Sequence, residues 1–279
     1  MKKLLATALA AAALLLAPGA DAQQRTIRIA SEGAFPPWNA TDASGKLIGF
    51  EVDLANQLCQ RMQVRCEIVA QAWDGIIPAL QARRYDAIMA GMSITARRLE
   101  VINFSIPYGS SPARLAVQRQ HRLASWQTPG NVERIRMDAL TPPMNTALEE
   151  LRKAISGMTV GVQTQTIHSN FLDEHLKNVV RVRTYDTMEN MVLDLNAGRV
   201  DAVFGSGANL KALSDKGDNI AMFGPGFSGG TFGAGVGVGL RKDDADLKAM
   251  FDQAITWANE TGVIRRLSMQ WFGFDISIN

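Results

Sequence analysis

Short β-rich segments alternate with segments of helical periodicity along the first third of the chain. Runs rich in Val, Ile and Ala are typical of buried strands, and apolar residues three and four positions apart are typical of one face of a helix. This alternation predicts parallel βαβ units. The predicted strands are 26–30, 64–69 and 85–90, and the predicted helices are 53–62 and 74–81.

A second series of the same kind follows and ends in helices. Thr187 and Asp244 precede helical segments and have side chains suited to capping a helix N-terminus, while Gly262 separates the last two helices. The chain therefore contains two α/β series. In the second series and the helical end, the predicted strands are 113–117, 159–162 and 201–204, and the predicted helices are 166–175, 187–196, 245–261 and 263–271.

Two segments rich in Gly, Pro and Ser, residues 107–112 and 224–230, interrupt this pattern and predict two crossings between two lobes. Residues 224–229 also match the spelling Gly-x-Gly-x-x-Gly. A dinucleotide site needs a helix directly after that motif, whereas a β-like segment follows here, so a flexible connection is expected. Residues 119–157, with Pro-rich turns and many charges, are predicted to be a surface insertion that ends in a helix over 148–155.

The N-terminus has the features of a secretory signal peptide. Lys2 and Lys3 precede an apolar run over 4–17, which is followed by the small-residue tripeptide of residues 20–22. The run is shorter than the about 20 residues needed to span a bilayer. We therefore expect cleavage before Gln23 and a periplasmic location, without a lipid anchor because no Cys follows the run.

Charge and size narrow the possible partners. Removal of residues 1–22 takes away two Lys and one Asp and leaves 27 basic and 26 acidic residues. A nearly neutral chain does not point to nucleic acid or to anionic membranes. The remaining length is sufficient for two medium-sized domains, each with its own core.

Cys59 and Cys66 are the two cysteines of the chain. An oxidising compartment favours their pairing, and a zinc site would need further ligands nearby. We predict a structural disulfide between the end of a helix and the next strand.

No common catalytic motif is present. The sequence has no phosphate-binding loop, no Gly-x-Ser-x-Gly and no His-Glu-x-x-His, and His121, His168 and His175 lack metal-ligand spacing. We therefore expect neither a catalytic residue nor a metal or cofactor.

Nine short segments carry a family pattern. They are KLIGFEVDL (46–54), QAWDGIIP (71–78), RYDAIMA (84–90), MSI (92–94), FS (104–105), GVQ (161–163), TYDT (184–187), AGR (197–199) and GVGVG (235–239). In this order the chain resembles the periplasmic solute-binding proteins of ABC transporters for polar and basic amino acids, most closely the octopine- and nopaline-binding branch. The resemblance covers nearly the whole chain after residue 22.

The resemblance implies an α/β fold of type II with two lobes. Each lobe is expected to be a mostly parallel sheet with flanking helices, and a two-segment hinge joins them. The expected bounds are 23–110 plus 232–279 for lobe 1 and 111–231 for lobe 2. The ligand is expected beyond the carboxyl ends of the strands, and the partner is expected to be the membrane permease of an ABC importer, with the binding protein itself a monomer.

In lobe 1 the resemblance assigns Arg98 to the α-carboxylate of the ligand, a role suited to a planar bidentate donor. Thr95 is expected to cap the helix that carries Arg98. Ser93 and the main chain of Ala90 and Gly91 are expected to add hydrogen bonds, since Ala90 and Gly91 replace hydroxyl residues common in the family.

Glu32 resembles the acid that receives a distal ammonium or guanidinium. Trp73 and Phe35 resemble aromatic walls that stack on the ligand, where a cation–π contact contributes about 0.5 to 2 kcal/mol. Plain core packing is the alternative for both rings, and it is the stronger rival for Phe35.

In lobe 2 the implied ligand residues are Gln163, Thr166 and His168, at a turn from strand to helix. Ser206 stands where binders of basic amino acids have an Asp for the α-ammonium. Free arginine has a net charge of +1, and the charges of Glu32 and Arg98 cancel each other. The complex with arginine would therefore have a net positive charge, which is costly in a desolvated cleft. An opine has a further carboxylate, so the sequence favours an opine-like or otherwise zwitterionic ligand over arginine.

Two alternatives remain open. The chain could bind arginine, ornithine or lysine, or it could be a periplasmic dehydratase on the same fold, in which case Glu32 or His168 would serve as the protonatable group. A signalling receptor domain is a third possibility.

Overall fold

The computed structural model of the protein describes residues 25–278. The predicted signal peptide, residues 1–22, lies outside the described residues. Over the described range, no helix has both the length and the apolar character required to cross a bilayer.

The strands form two main sheets and one small antiparallel sheet. In chain order they are β1 Thr26–Ser31, β2 Ala34–Phe35, β3 Asn39–Thr41, β4 Leu47–Ile48, β5 Arg65–Ala70, β6 Ala87–Ile88, β7 Asn103–Phe104, β8 Ala113–Gln118, β9 Arg134–Arg136, β10 Thr159–Gln163, β11 Arg181–Tyr185, β12 Ala202–Ser206, β13 Ile220–Ser228 and β14 Gly239–Leu240.

Most helices follow the predicted segments, although the helix over Gly207–Asp215 was not predicted. In chain order they are α1 Phe50–Met62, α2 Ile76–Gln81, α3 Ala96–Leu99, α4 Pro142–Ile155, α5 Ile167–Phe171, α6 Met188–Asn196, α7 Gly207–Asp215, α8 Ala245–Glu260 and α9 Val263–Phe272, with a π-helical turn over Leu172–Leu176 and 3-10 turns over Arg122–Ser125, Pro129–Asn131 and Gly230–Phe232.

The first lobe is built around the sheet β5-β1-β6-β14-β7. Strand β1 pairs in parallel with β5 and β6, and β14 pairs antiparallel with β6 and β7. Helix α1 covers this sheet because its apolar residues recur on one face, and Phe50, Leu54 and Leu58 are buried there. Helices α8 and α9 pack on α1 and complete the core.

The second lobe is built around the sheet β11-β10-β12-β8-β13-β9. Strand β10 pairs in parallel with β11 and β12, whereas β8 pairs antiparallel with β12 and β13. One core of this lobe is rich in Phe, with Phe171, Phe204 and Phe227 in mutual ring contact. The fold is therefore the predicted two-lobed α/β type, with flanking helices on each sheet.

Two chain segments connect the lobes, the first within the predicted residues 107–112 and the second around Val236, C-terminal to the predicted residues 224–230. Val236 pairs with both Gly109 and Ser93. Its carbonyl accepts a hydrogen bond from the N–H of Tyr108 at 2.9 Å, and its own N–H donates to the carbonyl of Gly109 at 2.7 Å. The two connecting segments are therefore hydrogen-bonded to each other beside the cleft.

Three local predictions need correction. The Gly-rich segment expected as a flexible connection lies largely inside β13, which pairs with β8 and β9. The segment 119–157, expected as a surface insertion, supplies β9 and the buried residues Ile135 and Leu151 to the second lobe. Asp244 precedes α8 without a capping hydrogen bond from its side chain, because its carboxylate pairs with Arg241 at 2.6 Å.

The disulfide prediction is confirmed. Cys59 in α1 and Cys66 in β5 are bonded, with their Cα atoms 6.1 Å apart. The bond ties the C-terminal part of α1 to the neighbouring strand of the sheet.

Candidate functional site

A cavity of about 630 Å3, part of it open to solvent, lies between the two sheets. All eleven residues predicted from the sequence line it, although their contact with a ligand stays a prediction. These residues are Glu32, Phe35, Trp73, Ala90, Gly91, Ser93, Arg98, Gln163, Thr166, His168 and Ser206.

The topology explains why residues so far apart in sequence meet. Glu32 follows the last residue of β1, and the segment with Ala90 follows the neighbouring parallel strand β6. In the second lobe, Gln163 ends β10 and Ser206 ends the parallel strand β12. Because the carboxyl ends of parallel strands share one edge of a sheet, each lobe presents its polar residues at that edge.

Arg98 is held by contacts within the first lobe. Its main-chain N–H donates a hydrogen bond to the hydroxyl of Thr95 at 3.3 Å, so Thr95 caps the helix as predicted. Its Nη1 donates to the carbonyl of Ser93 at 2.9 Å. The guanidinium carbon lies 5.2 Å from the ring centre of Trp73. Burial and the nearby charge of Arg97 lower the pKa of Arg98 to about 10, so the group remains a cation at neutral pH.

Glu32 reaches across the cleft to the second lobe. Its Oε1 accepts a hydrogen bond from Nε2 of Gln163 at 2.8 Å, and the same nitrogen donates to the carbonyl of Asp186 at 3.0 Å. Burial raises the pKa of Glu32 to about 7, against the opposing effect of the Gln163 hydrogen bond, and the carboxylate of Glu51 adds to the rise. The ligand-free site therefore holds a carboxyl group whose pKa lies near neutral pH.

The two predicted aromatic walls differ in their surroundings. Trp73 is 9% exposed and belongs to a core cluster of the first lobe, so it packs in the core as well as lining the cavity. Phe35 packs against clusters of both lobes. Its ring lies where a side chain on Gly91 would be, since a Cβ there would come within 2.7 Å of Phe35 Cε1. Gly91 also has a φ of +63°, which favours glycine.

The main chain of Gly91 is less available than predicted. Its N–H donates to both carboxylate oxygens of Glu51, at 2.7 and 3.0 Å. A ligand therefore cannot use this N–H without displacing Glu51. Sequence reasoning missed Glu51, although it lies within the family segment 46–54.

In the second lobe, Thr166 and His168 begin α5. The Thr166 hydroxyl donates to the carbonyl of Gln163 at 2.8 Å and accepts from the N–H of Ser169 at 3.2 Å. It therefore fixes the turn itself. His168 is buried with its ring edge against Phe204, and burial together with the charge of Arg98 lowers its pKa to about 3. The imidazole is consequently neutral at physiological pH.

Ser206 is buried at the start of α7 and does not cap the helix with its side chain. Its hydroxyl instead lies 3.3 Å from the hydroxyl of Ser111, which accepts the N–H of Ala208 at 3.0 Å. Two neutral hydroxyls, those of Ser206 and Ser111, are therefore present where the resemblance implies a charged Asp in binders of basic amino acids.

Sequence reasoning did not place several further lining residues. Met188 and Met191 lie three positions apart on α6, and their helical spacing after the Thr187 cap was the available signal. They give the lobe 2 wall an apolar part. The further lining residues are Trp38, Ser111, Met188, Met191, Phe204, Gly205 and Val236, and Ile167 of the predicted turn lines the cavity with them.

Comparison with known proteins gives one consistent family. The model of bacterial extracellular solute-binding proteins, family 3, matches residues 27–274. An octopine-binding periplasmic protein of Rhizobium meliloti is 43% identical, covering 96% of this chain and 97% of the relative. An L-arginine-binding protein of Pseudomonas aeruginosa is 31% identical, covering 99% and 98%.

A solved structure agrees with these sequence relatives. It is a periplasmic His/Glu/Gln/Arg/opine family-binding protein from Silicibacter pomeroyi in complex with lysine. It superimposes with a TM-score of 0.70 at 29% identity and covers 91% of this chain and 100% of its own.

Proposed function

The chain belongs to the bacterial extracellular solute-binding proteins of family 3, and we propose that it captures an opine of the octopine or nopaline type in the periplasm and delivers it to an ABC importer. The signal peptide over 1–22, the permease as partner and a monomeric state are parts of this proposal. So are the lobe bounds, with 23–110 plus 232–279 in lobe 1 and 111–231 in lobe 2.

The charge of the cavity lining carries the choice of ligand. Among the described residues, those that line the cavity and can ionise are Glu32, Arg98 and His168. His168 is neutral because its pKa is lowered to about 3. One acid and one base remain, so the ionised site has no net charge. Octopine, with a net charge of zero, fits this site best among the opines, whereas free arginine would leave a positive charge without a partner in a buried cleft.

Two charges of an opine then have a charged partner in the cavity, while its α-ammonium and further carboxylate neutralise each other within the ligand. Arg98 binds a carboxylate, and Glu32 binds the distal guanidinium, which stacks beside Trp73 and Phe35. Ser93, the main chain of Ala90, the Gly91 carbonyl, Gln163, Thr166 and His168 supply neutral contacts. Ser206 faces the substituted α-nitrogen and tolerates the further carboxylate, because a hydroxyl does not repel an anion.

A basic amino acid is the second candidate ligand. The arginine-binding relative and the lysine complex of the Silicibacter pomeroyi protein support it. Arginine would require an acid at the α-ammonium, and among the described residues that line the cavity Glu32 is the one carboxyl group. The opine is therefore preferred.

An enzymatic role is the third candidate. The pKa of Glu32, raised to about 7, is the kind of value that general acid–base catalysis uses. The relatives named above are binding proteins, which favours binding without turnover. Incubation of the protein with each bound compound, followed by mass spectrometry, separates the two because a dehydratase would convert its ligand.

A thermal-shift panel of opines and basic amino acids tests the proposal. A ligand at a hundredfold its dissociation constant adds about 2.7 kcal/mol to the unfolding free energy. We expect octopine or nopaline to raise Tm and neutral amino acids to leave it unchanged. No shift with any opine would contradict the proposed function, and a shift with arginine or lysine alone would favour the second candidate ligand.

A further inference from the structure

Glu51 is a buried acid that the proposed binding scheme does not use. It lies in the first turn of α1 with an exposure of 1%, and its neighbours Asn39 and Tyr108 are buried to the same degree. A carboxylate in the first turn is favoured by the helix dipole, but full burial requires hydrogen bonds to both oxygens.

Those hydrogen bonds come from three separate parts of the first lobe. The carboxylate accepts from Nδ2 of Asn39 at 2.7 Å, from the N–H of Gly91 at 2.7 and 3.0 Å, and from the hydroxyl of Tyr108. All of these groups are donors, which suits an ionised acceptor. Burial raises the pKa of Glu51, and the bonds from Tyr108, Gly91 and Asn39 oppose that rise.

The network extends to both ligand-facing loops of the lobe. The side-chain oxygen of Asn39 accepts the N–H of Gly33 at 2.8 Å, directly after Glu32. Gly91, bound by Glu51 itself, precedes Ser93, whose carbonyl holds Arg98. Glu51 therefore lies between the loop that carries the acid of the site and the loop that anchors its base.

The network also reaches the hinge. Tyr108 lies in the first connecting segment, and its N–H donates to Val236 in the second at 2.9 Å. Gly49 lets α1 begin at this point, because a Cβ there would come within 2.6 Å of the Trp38 carbonyl and its φ is +128°. The start of α1 is thus fixed against the segment that contains Asn39.

We propose that Glu51 is a positioning residue of the ligand site, which holds the Glu32 loop and the Gly91–Ser93 loop at one separation and couples both to the hinge through Tyr108. This inference rests on the proposed binding function. A carboxylate held by three donors is rigid, and a preformed site loses less free energy when a ligand orders it. Removal of the carboxylate should weaken binding even though Glu51 does not touch the ligand.

The test is Glu51→Gln, which keeps the size of the side chain but replaces one acceptor oxygen with a donor. Calorimetric titration with octopine and with arginine should show Kd raised at least tenfold for whichever ligand the wild type binds. The matched control is Asp86→Asn in the same lobe, because Asp86 also accepts a main-chain N–H, from Arg28 at 2.9 Å, and pairs with Arg241. This control should change Kd by less than twofold.

Two further readouts separate positioning from general destabilisation. In the ligand-free protein, the amides of Gly33 and Gly91 should exchange with solvent faster in Glu51→Gln, relative to the amide of Ile29 in β1, and should not do so in Asp86→Asn. The acid limb of the pH profile of Kd should also move to lower pH in Glu51→Gln, because the charge of Glu51 contributes to the raised pKa of Glu32 alongside burial and the Gln163 contact.

A folded Glu51→Gln protein with Kd within twofold of wild type would overturn the inference. If Glu51→Gln does not fold, Asn39→Ala decides. It removes the hydrogen bonds of Asn39 with the Gly33 N–H and with the Glu51 carboxylate, while Gly91 and Tyr108 still bind Glu51. Kd should rise about threefold or more, and an unchanged Kd would overturn the inference. If the wild type binds neither octopine nor arginine, the proposed function fails separately. Hydrogen exchange then decides, and unchanged exchange at Gly33 and Gly91 would overturn the positioning role.

Discussion

Glu32 combines the two properties that a cation site between lobes requires. It is half-buried, and its carboxyl group accepts a hydrogen bond from Gln163 of the opposite lobe at 2.8 Å. Because burial raises its pKa to about 7, the free protein holds this group partly protonated at neutral pH. A ligand cation favours the ionised form, so binding below that pKa is coupled to the release of a proton.

The pH dependence of affinity follows from this coupling. Affinity for a guanidinium ligand should fall by up to about tenfold for each pH unit below 7 and level off above it, because protonated Glu32 offers no charge. Glu32→Gln should bind weakly at every pH and show no such limb. Calorimetry between about pH 5 and pH 8 measures both proteins, and a flat profile in the wild type would remove Glu32 from the cation site.

Arg98 is predicted to bind the ligand carboxylate. Arg98→Ala should reduce the binding free energy of every carboxylated ligand by about 2 to 5 kcal/mol, the cost typical of breaking a buried charge pair. Arg98→Lys is the matched variant, since it keeps the charge and loses the bidentate geometry. Its ligand affinity should lie between those of the wild type and Arg98→Ala. Near-unchanged calorimetric affinity in a folded Arg98→Ala protein would be inconsistent with this role.

Ser206 should determine the choice between opine and amino acid. Ser206→Asp adds a carboxylate that attracts an α-ammonium through a charge-assisted hydrogen bond of about 1.5 to 3 kcal/mol and repels a further carboxylate of the ligand. The ratio of arginine affinity to octopine affinity should therefore rise. Titration of both proteins with both ligands gives this ratio; if it stays constant or falls, Ser206 does not face the α-nitrogen.

The sequence was sufficient to name residues that line the cavity, because they lie within the family segments, as Trp73 and Gln163 do, or close to the ends of predicted strands, as Glu32 and Ser206 do. It did not reveal which of their polar atoms are already bonded. The Gly91 N–H is occupied by Glu51, forty positions earlier, and the Thr166 hydroxyl is occupied by its own turn. Such occupancy depends on tertiary contacts that local patterns do not encode.

At the level of secondary structure, prediction succeeded where the apolar pattern was strong and failed where Gly and Pro suggested a break. Strand β13 includes Gly224, Pro225 and Gly226, and its continuation depends on β8 and β9 on either side. Pairing between residues so distant in sequence overrides the local turn signal. Helix α4 was predicted too short because its first turns are polar, although Pro142 is well suited to a helix start.

The disulfide stabilises one element junction without forming part of the cavity lining. The double variant Cys59→Ser with Cys66→Ser should lower the unfolding free energy by about 2 to 3 kcal/mol, as expected for a short loop. Ligand affinity should change little, since neither residue lines the cavity. Urea unfolding measures the first effect and calorimetry the second. Equal stability of the two proteins would show that the bond does not contribute.

At the level of the whole molecule, side chains form hydrogen bonds between the two lobes across the cleft. Gln165 donates to Asp74 at 2.6 Å, and Asn209 donates to the carbonyl of Pro36 at 2.7 Å, in addition to the contact between Glu32 and Gln163. These contacts restrict the access of solvent to the cavity, and in a desolvated cavity the charge balance of the ligand becomes decisive.

The preference for an opine is tested most directly by calorimetric titration of the wild-type protein with octopine and with arginine in one buffer. We expect octopine to bind at least tenfold more tightly than arginine, because its net charge of zero matches a cavity with one acid and one base. Arginine binding as tightly as octopine, or more tightly, would contradict it.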